Sequence, residues 1–452
     1  MSVIKVICRP KLLYRFRNII FLVILFMSFL LVFHIFLNFK TYDKQVQKDV
    51  NDEKNIDSAD TSILTMVPLA FHKYLMSDMK NTSIQQHLSI NEIQRRVDEH
   101  NKLQIILNED IFGPLRNDSL VIAIQVHDRL IYLRHTIISL AQVKGIENAL
   151  LIFSHDYYDE EINSLVQSIN FCKVMQIFYP YSIQTHPNEF PGDSKDDCPR
   201  NIDIKEAIKI KCTNALHPDQ YGHYREAKFT QIKHHWWWKA NRIFDGLKTT
   251  KEYTGLVVFI EEDHYIAQDF IHMLHRMEIA RQSDCPECKI YALGSHSKNF
   301  DFASDSKKAE TKQWSSSMEN MAITFNRPIW QELKSCAKKF CTYDDYNWDW
   351  SLLAVSTTCL AKEITAMVLR APRVFHIGEC GIHQIHQEND CKITDVLERI
   401  QKLLMTSIEY LYPQDLNLAH IPNERYLGTL NGNGGWGDVR DHNLCLEMVK
   451  QS

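Results

Sequence analysis

Several sequence patterns that mark common functional classes are missing from this chain of 452 residues. After the first eighteen residues there is no long block of Lys and Arg, and the formal net charge is -5, so a nucleic-acid partner is not expected. No HExxH or paired-histidine zinc motif occurs, which argues against a metal-dependent hydrolase. The CxxC motif from Cys285 to Cys288 has no second CxxC to complete a zinc site, so a small-loop disulfide is favoured there.

A long apolar stretch lies near the start of the chain. Ile19 to Leu37 carries no formal charge apart from His34 and is about as long as the roughly 20 residues that cross a bilayer as a helix. The residues before it include no acidic side chain and five basic ones, Lys5, Arg9, Lys11, Arg15 and Arg17. The positive-inside rule then predicts a type II membrane protein, with a cytosolic tail at 1–18 and an anchor at 19–37. A cleaved signal peptide is the alternative, but the residues after Phe33 make a poor cleavage site.

From Lys40 to about Ser62 the chain is polar, has few large apolar residues and is not expected to fold, and we predict a stem over 38–89. Apolar residues at helical spacing then begin the globular part, predicted as one catalytic domain over 90–452. In this topology both segments lie in the secretory lumen, where disulfides persist. Asn81 and Asn117 match the Asn-X-Ser/Thr pattern and are predicted glycosylation sites.

Strand-like and helix-like segments alternate after residue 119. Continuous apolar runs typical of parallel strands buried on both faces occur at Leu120 to Val126, Ala149 to Ser154, Val174 to Phe178 and Gly255 to Ile260. Helical patterns at about 131–143 and 160–170 separate the first three runs. The alternation predicts a doubly wound α/β fold with a mostly parallel sheet. In such sheets, ligands bind beyond the carboxyl ends of the strands.

Three carboxylates follow the last of these strands directly: Glu261, Glu262 and Asp263. Burying an unpaired charge is costly, so carboxylates at a buried strand end need positive partners. Their oxygens suit a hard divalent cation such as Mg²⁺ or Mn²⁺, which would neutralise the diphosphate of a nucleotide-sugar. A solvated acidic turn is the alternative, and the buried strand before the triplet favours the metal site.

Five longer segments resemble one glycosyltransferase family. They are Gly222 to Phe229, Lys233 to Lys239, Phe259 to Tyr265, Cys341 to Trp350 and Asn433 to Asp438. From about Leu120 to the C-terminus the chain resembles the N-acetylglucosaminyltransferase II family of Golgi membrane enzymes. The resemblance implies a GT-A fold, UDP-GlcNAc as donor and Mn²⁺ as cofactor. It also implies an inverting transfer of GlcNAc, in β1,2 linkage, to the α1,6-arm mannose of N-glycans.

The resemblance also implies roles for single residues. Asp263 and His376 would bind the metal, and Glu261 and Glu262 would orient Asp263 or hold the neighbouring loop. Asp349 would be the base that takes the proton from the 2-hydroxyl of the acceptor mannose. Without the resemblance, His376 would be interpreted as a core histidine. The segment around Asp349 also has a purely structural interpretation. In that alternative, its carboxylates cap or solvate a helix and its tryptophans pack against the rest of the protein.

Contacts to the two substrates follow from the same resemblance. Donor contacts are implied for Gln125, Val126, His127, Asp128, Arg129, Asp156, Gln231, Ile232, Lys233, His234 and His235. Acceptor-side contacts are predicted for Arg200, Lys298, Trp348 and Trp350, although Lys298 stands where an arginine is usual in the family. The segment from Lys233 to Lys239 is also a plausible packed helix, because its three consecutive tryptophans cannot share one face.

Eleven of the twelve cysteines follow the anchor, so at least one stays unpaired. Cys172 is the best candidate for a buried free thiol because it lies in an apolar run. The resemblance implies five disulfides: Cys198–Cys212, Cys285–Cys288, Cys336–Cys359, Cys341–Cys445 and Cys380–Cys391. The loop that contains the last pair, Gly378 to Ile393, departs from the family pattern.

Two other functions stay open at this level. One is a GlcNAc transferase that acts on the α1,3-arm mannose. The other is a lumenal glycan-binding protein that has lost catalysis, although Asp263, His376 and Asp349 are all present in the sequence. The predicted partners are UDP-GlcNAc, N-glycans on glycoproteins and the Golgi membrane, and a homodimer is allowed for.

Overall fold

The computed structural model describes residues 67–76, 88–378, 393–422 and 431–450. The predicted tail, the predicted anchor and most of the predicted stem lie outside these ranges, as do Asn81, Cys380 and Cys391. Among the residues that are described, no helix combines the length and the hydrophobicity needed to cross a bilayer. The bounds of the tail, anchor and stem stay predictions.

Strands and helices alternate through the described chain. The strands are β1 Ile106–Leu107, β2 Val121–Val126, β3 Leu150–His155, β4 Lys173–Phe178, β5 Val257–Glu261, β6 His264–Ile266, β7 Ile290–Ala292, β8 Lys308–Gln313, β9 Ile323–Phe325, β10 Thr365–Leu369, β11 Val374–His376 and β12 Asn417–His420. The α-helices are α1 Ile90–Leu103, α2 Glu109–Phe112, α3 Leu130–Ala141, α4 Glu160–Gln167, α5 Ile204–Ile210, α6 Ala227–Asn241, α7 Phe270–Asp284, α8 Phe302–Asp305, α9 Arg327–Ser335, α10 Ala337–Thr342, α11 Trp348–Thr358, α12 Ile393–Thr406 and α13 Val439–Lys450. Short 3₁₀ helices lie at Leu69–Tyr74, Ile146–Asn148 and Ile408–Tyr410, and a π-helical turn, Arg242–Gly246, extends α6.

One large sheet forms the centre of the fold. Its strand order is β1-β4-β3-β2-β5-β9-β7-β10-β8-β12, while β6 and β11 pair in a separate ribbon. The neighbours β4, β3, β2 and β5 are parallel, and β9 runs antiparallel between β5 and β7. The structure is therefore a mixed α/β fold with a large, mostly parallel sheet, as the alternation predicts.

The four predicted strands are confirmed as β2, β3, β4 and β5, with shifts of one or two residues at their ends. Every residue of β3 and β4 is buried, which explains why these strands are mostly apolar and do not alternate between apolar and polar residues. Strands of the other half of the sheet have weaker signals, because they are short or polar. The sequence of β8, for example, is KAETKQ.

The C-terminal helix α13 closes the core against α6, whose three consecutive tryptophans are all buried. The buried guanidinium of Arg225 donates from Nε to Asp441 Oδ2 of α13 at 2.9 Å. The disulfide Cys341–Cys445 joins α10 to the same helix. The last part of the chain is thus held by a buried ion pair and by a covalent bond.

Four disulfides are formed in the described residues, and each is a pair that the resemblance implies: Cys198–Cys212, Cys285–Cys288, Cys336–Cys359 and Cys341–Cys445. Cys172 is free and buried, as predicted. The fifth implied pair lies outside the described residues.

Asp441→Ala tests the buried ion pair between Arg225 and α13. Because the change removes the closer of the two carboxylates of the buried guanidinium and leaves only Asp197 at 3.5 Å, we expect the free energy of unfolding to fall by about 3 kcal/mol. Denaturant unfolding of the full chain measures this value. Glu206→Ala is the control, since Glu206 forms only an exposed ion pair with Lys209 and should leave the midpoint unchanged. Equal midpoints for the two variants would contradict the structural role of the pair.

Candidate active site

Three parallel strands end at the same edge of the sheet. Gln125 of β2 is in register with Ser154 of β3 on one side and with Glu261 of β5 on the other. Asp156 follows β3 directly. Because parallel strands bring their carboxyl ends together, these polar side chains collect where ligands bind in open α/β sheets.

The turn from β5 to β6 carries the acidic triplet. β6 pairs antiparallel with β11, which brings His264 opposite His376. The main-chain N–H of Ile377 donates to the carbonyl of Asp263 at 2.8 Å. The ring of His376 thereby reaches the Asp263 carboxylate, with Nε2 3.2 Å from Oδ2. The small ribbon places the two predicted metal ligands side by side.

The Asp263 carboxylate is buried but only partly satisfied. Its Oδ2 accepts a hydrogen bond from Arg129 at 2.7 Å and also faces His376. Its Oδ1 is buried and has no hydrogen-bond partner among the residues that the structure describes. A Cβ atom added at Gly378 would collide with Oδ2 of this carboxylate and with Nη2 of Arg129, so only a glycine allows the chain to pack this closely against the pair.

Neighbouring groups keep Asp263 ionised. Burial alone would raise its pKa, but the hydrogen bond with His376 and the charge of Arg129 hold the pKa below its usual range. Burial alone would lower the pKa of His376, whereas contact with Asp263 raises it overall. Burial raises the pKa of Glu262 to about 8, and its Oε2 accepts the main-chain N–H of His127 at 2.9 Å. Glu262 therefore holds the loop after β2, as the resemblance implies.

The donor set suits a divalent cation that accepts oxygen and nitrogen ligands, such as Mn²⁺. Ligand atoms of Glu261, Asp263 and His264 lie within 4.8 Å of one another. However, His264 Nδ1 accepts the main-chain N–H of Glu261 at 3.2 Å, and burial lowers the pKa of His264 to about 3. This neutral ring keeps its proton on Nε2 and has no lone pair there. His264 Nδ1 is thus already used by the main chain, whereas His376 Nε2 faces the Asp263 carboxylate.

Asp349 lies in the first turn of α11 and is buried. Its Oδ1 accepts the main-chain N–H of Trp350 at 2.9 Å, and its Oδ2 accepts the side-chain amide of Asn320 at 3.0 Å. Burial raises the pKa of Asp349 to about 7, although both hydrogen bonds act to lower it. A carboxylate with a pKa near neutrality is suited to accept a proton from a hydroxyl group.

A series of contacts joins Asp349 to Asp263. Asn320 binds Asp349 through Nδ2, and its Oδ1 lies 3.0 Å from His296 Nε2. The ring of His296 is 6.2 Å from that of His376, between centroids, and His376 contacts Asp263. The structure thus brings together the three residues predicted for metal binding and base catalysis.

A second polar cluster surrounds Asp156. Its Oδ1 lies 2.6 Å from His127 Nδ1, its Oδ2 lies 3.1 Å from His235 Nδ1, and His235 Nε2 meets Ser154 Oγ at 2.8 Å. Burial would raise the pKa of Asp156, but the two histidines hold it below its usual range. Burial lowers the pKa of His127, but its contact with Asp156 outweighs burial and raises the pKa to about 9. At neutral pH, His127 is therefore a half-exposed cation.

Comparison with known proteins follows from this geometry. The family model of N-acetylglucosaminyltransferase II (MGAT2) matches residues 94–445. The chain belongs to this family. It is 43% identical over 342 residues to the alpha-1,6-mannosyl-glycoprotein 2-beta-N-acetylglucosaminyltransferase of Rattus norvegicus, which covers 76% of this chain and 77% of that protein. The Arabidopsis thaliana protein of the same name is 38% identical over 346 residues, covering 76% and 77%. A solved structure of TarS from S. aureus covers 64% of this chain and 71% of its own at 10% identity, and its TM-score of 0.29 is too low to support an argument.

The predicted donor residues of this N-acetylglucosaminyltransferase II family member fall into two groups, one at the ends of β2 and β3 and the other on helix α6. Gln125 is partly buried at the end of β2, and Val126 is buried beside it. Asp128 is exposed, and Arg129 binds Asp263. Together with His127 and Asp156, these residues line one side of the carboxyl edge of the sheet.

The predicted segment on α6 divides between two sides of the helix. On the side toward β3, His235 contacts Asp156, and Gln231 Oε1 accepts the main-chain N–H of Ile183 at 2.7 Å. Ile232 is partly buried against the core. This side of α6 supports the Asp156 cluster.

Lys233 and His234 lie on the side toward the C-terminal segment. The fully buried Lys233 donates from Nζ to the carbonyls of Tyr343 and Asp345 at 3.1 and 2.8 Å. His234 Nε2 lies 2.9 Å from Asp441 Oδ1. With all their contacts made inside the protein, these two residues follow the packed-helix alternative rather than the donor-contact prediction.

The predicted acceptor residues are dispersed. The ring of Trp348 stacks on Trp236, with centroids 4.6 Å apart and planes 1° apart, and only 7% of the residue is exposed. This core packing leaves little of its ring for a sugar, which corrects the prediction for Trp348. Trp350 is partly buried. Arg200 forms an ion pair with a glutamate at 2.9 Å, and Lys298 is exposed.

Three residues at the site have no counterpart in the sequence predictions: Asn320, His296 and Lys239. Asn320 and His296 lie in loops, and only tertiary contacts bring them to Asp349 and His376. The sequence gives only a weak indication that Lys239 belongs to the site: a charged residue at the end of a buried aromatic helix needs a partner inside the protein.

Asp156→Asn tests the charge of His127. We expect the pKa of His127 to fall from about 9 toward its usual range, because burial is then opposed only by the weaker effects of Asp128 and Glu262. Nuclear magnetic resonance titration of the ring protons in histidine-labelled full-length chain measures this pKa. Asp128→Asn is the control: its exposed carboxylate is 3.7 Å from His127 Nε2 and should matter much less. An unchanged pKa of His127 in the Asp156 variant would contradict the contact between these two side chains.

Proposed function

We propose that this family member transfers GlcNAc from UDP-GlcNAc, in β1,2 linkage, to the α1,6-arm mannose of N-glycans in complex N-glycan synthesis. The family assignment and the names of the relatives support this reaction. The observation that carries the proposal is the meeting of Asp263, His376 and Asp349 at one edge of the sheet, joined through His296 and Asn320. A protein that only bound glycans would not need a buried carboxylate whose pKa is raised to about 7.

In the proposed reaction, Asp349 is the base. The acceptor 2-hydroxyl attacks the anomeric carbon of GlcNAc while the bond to UDP breaks, and Asp349 takes the hydroxyl proton. A pKa of about 7 leaves a large ionised fraction at neutral pH and makes the carboxylate more basic than an exposed aspartate. The hydrogen bonds from Asn320 and from the main chain of Trp350 fix the carboxylate plane.

We assign Asp263 and His376 as protein ligands of Mn²⁺, within a GT-A arrangement of the sheet. The partner-free Oδ1 of Asp263 and the contact of His376 with the same carboxylate support this assignment. When bound, the ion would neutralise the diphosphate of the leaving nucleotide. Arg129 has a buried Nη2 without a partner in the described part of the chain, so it keeps a donor for a phosphate oxygen.

We further propose that the chain is a single-pass type II protein of the Golgi membrane, with its anchor at 19–37 and its catalytic domain in the lumen. The four disulfides are suited to an oxidising compartment. Asn117 is exposed in a turn and is accessible to a glycan.

The direct test uses the full-length chain in detergent with UDP-GlcNAc, Mn²⁺ and a biantennary precursor that carries GlcNAc on its α1,3 arm. We expect one GlcNAc to be added to the α1,6-arm mannose, with β1,2 linkage found by linkage analysis. Asp349→Asn should lower kcat by about 100-fold or more while it retains UDP binding, because only the proton acceptor is lost. Asp98→Asn, at an exposed position of α1, is the matched control and should retain the wild-type rate.

Each alternative outcome has a separate meaning. Transfer to the α1,3-arm mannose would replace the proposed acceptor. Glycan binding without transfer would support a non-catalytic protein. Near-normal turnover of Asp349→Asn would remove Asp349 as the base.

A further inference from the structure

Helix α6 contains two fully buried lysines, Lys233 and Lys239. They are six residues apart, so their side chains leave the helix in directions about 120° apart. Burying an ammonium group is unfavourable and must be offset by its contacts. The cost of burying Lys233 is offset by its contacts: Nζ donates to two main-chain carbonyls, and the ring centre of Trp436 lies 4.0 Å from it.

The contacts of Lys239 offset the cost of its burial less well. Its Nζ donates to Gln125 Oε1 at 2.9 Å, a neutral acceptor, and lies 5.6 Å from the ring centre of Phe259. Within the described ranges it makes no ion pair. Burial lowers the pKa of Lys239 to about 7, although Glu261 and Asp156, the carboxylates on either side of Gln125 at the strand ends, act to raise it. Such a lysine contributes little to stability and stands directly behind the predicted donor site.

The contact with Lys239 determines what Gln125 can offer to a ligand. A side-chain amide has an accepting oxygen and a donating NH₂ group. The Lys239 amine donates to Oε1, and in its charged form it has no acceptor to offer, so it holds Oε1 and directs the Nε2 hydrogens of Gln125 away from itself. Gln125 then presents a hydrogen-bond donor, and an acceptor atom of the ligand, such as a carbonyl oxygen of uracil, is its complement.

We infer that Lys239 is a positioning residue of the donor site, which fixes the side-chain amide of Gln125 as a hydrogen-bond donor to the nucleotide of UDP-GlcNAc. This inference rests on the proposed function. It predicts that removal of the buried ammonium impairs nucleotide binding without loss of stability, because an apolar side chain of similar length suits the buried position at least as well.

The test compares Lys239→Met, Gln125→Ala and the double variant in the full-length chain, with UDP and Mn²⁺ as the probe. We expect Lys239→Met to raise the Kd of UDP about ten-fold and to raise the KM of UDP-GlcNAc similarly, with little change in kcat and an equal or higher Tm. In the Gln125→Ala background, Lys239→Met should have no further effect, because Lys239 acts through Gln125.

Lys233→Met is the matched control on the same helix. It removes a buried ammonium whose partners are main-chain carbonyls, so it should lower Tm and change the Kd of UDP less than Lys239→Met does. A wild-type Kd in Lys239→Met, or effects of the two substitutions that add fully in the double variant, would overturn the inference. A wild-type chain that binds UDP but transfers no GlcNAc would overturn the proposed function alone, and failure to bind UDP would overturn both.

Discussion

The charge balance around Asp263 is the constraint on which the whole site depends. A carboxylate buried at the end of β5 is unfavourable alone, and here Arg129 and His376 share one of its oxygens. The other oxygen is buried without a partner in the described part of the chain. A divalent cation would extend the same balance, since it supplies positive charge at the oxygen that the protein leaves unsatisfied. The pairing of β6 with β11 is what makes this arrangement possible, because it holds His376 against the turn that carries Asp263.

The proposed base is positioned from the C-terminal part of the chain. The loop before α11 is fixed by Asp345, which accepts the main-chain N–H groups of Asn347 and Asn433 at 2.8 Å each. Lys233 binds the carbonyl of Asp345, and the disulfide Cys341–Cys445 closes the same region. The parallel half of the sheet therefore carries Gln125 and Asp156, the ribbon beside it carries His376, and a cross-linked C-terminal region carries Asp349. Accurate placement of these groups relative to one another is what a direct displacement requires.

The sequence predicts the parts of this arrangement that depend on local patterns. Buried parallel strands need continuous apolar runs, so β2 to β5 and the acidic turn after β5 could be predicted. The short strands β6 and β11 have no such pattern, and the position of His376 could be inferred only from the family resemblance. Trp348 and Lys233 show the limit of resemblance, because residues in the right segment can face the core, and only tertiary structure decides which side of a helix packs. Asn320 and Lys239 act through partners far away in sequence, which no local pattern records.

Anomalous diffraction from crystals of the full-length chain grown with Mn²⁺ and UDP tests the central claim most directly. Our account predicts a manganese peak in contact with both Asp263 and His376, beside the diphosphate and at the same edge of the sheet as Asp349. UDP bound at the strand ends with no manganese at Asp263, or with manganese held by other residues, would contradict it.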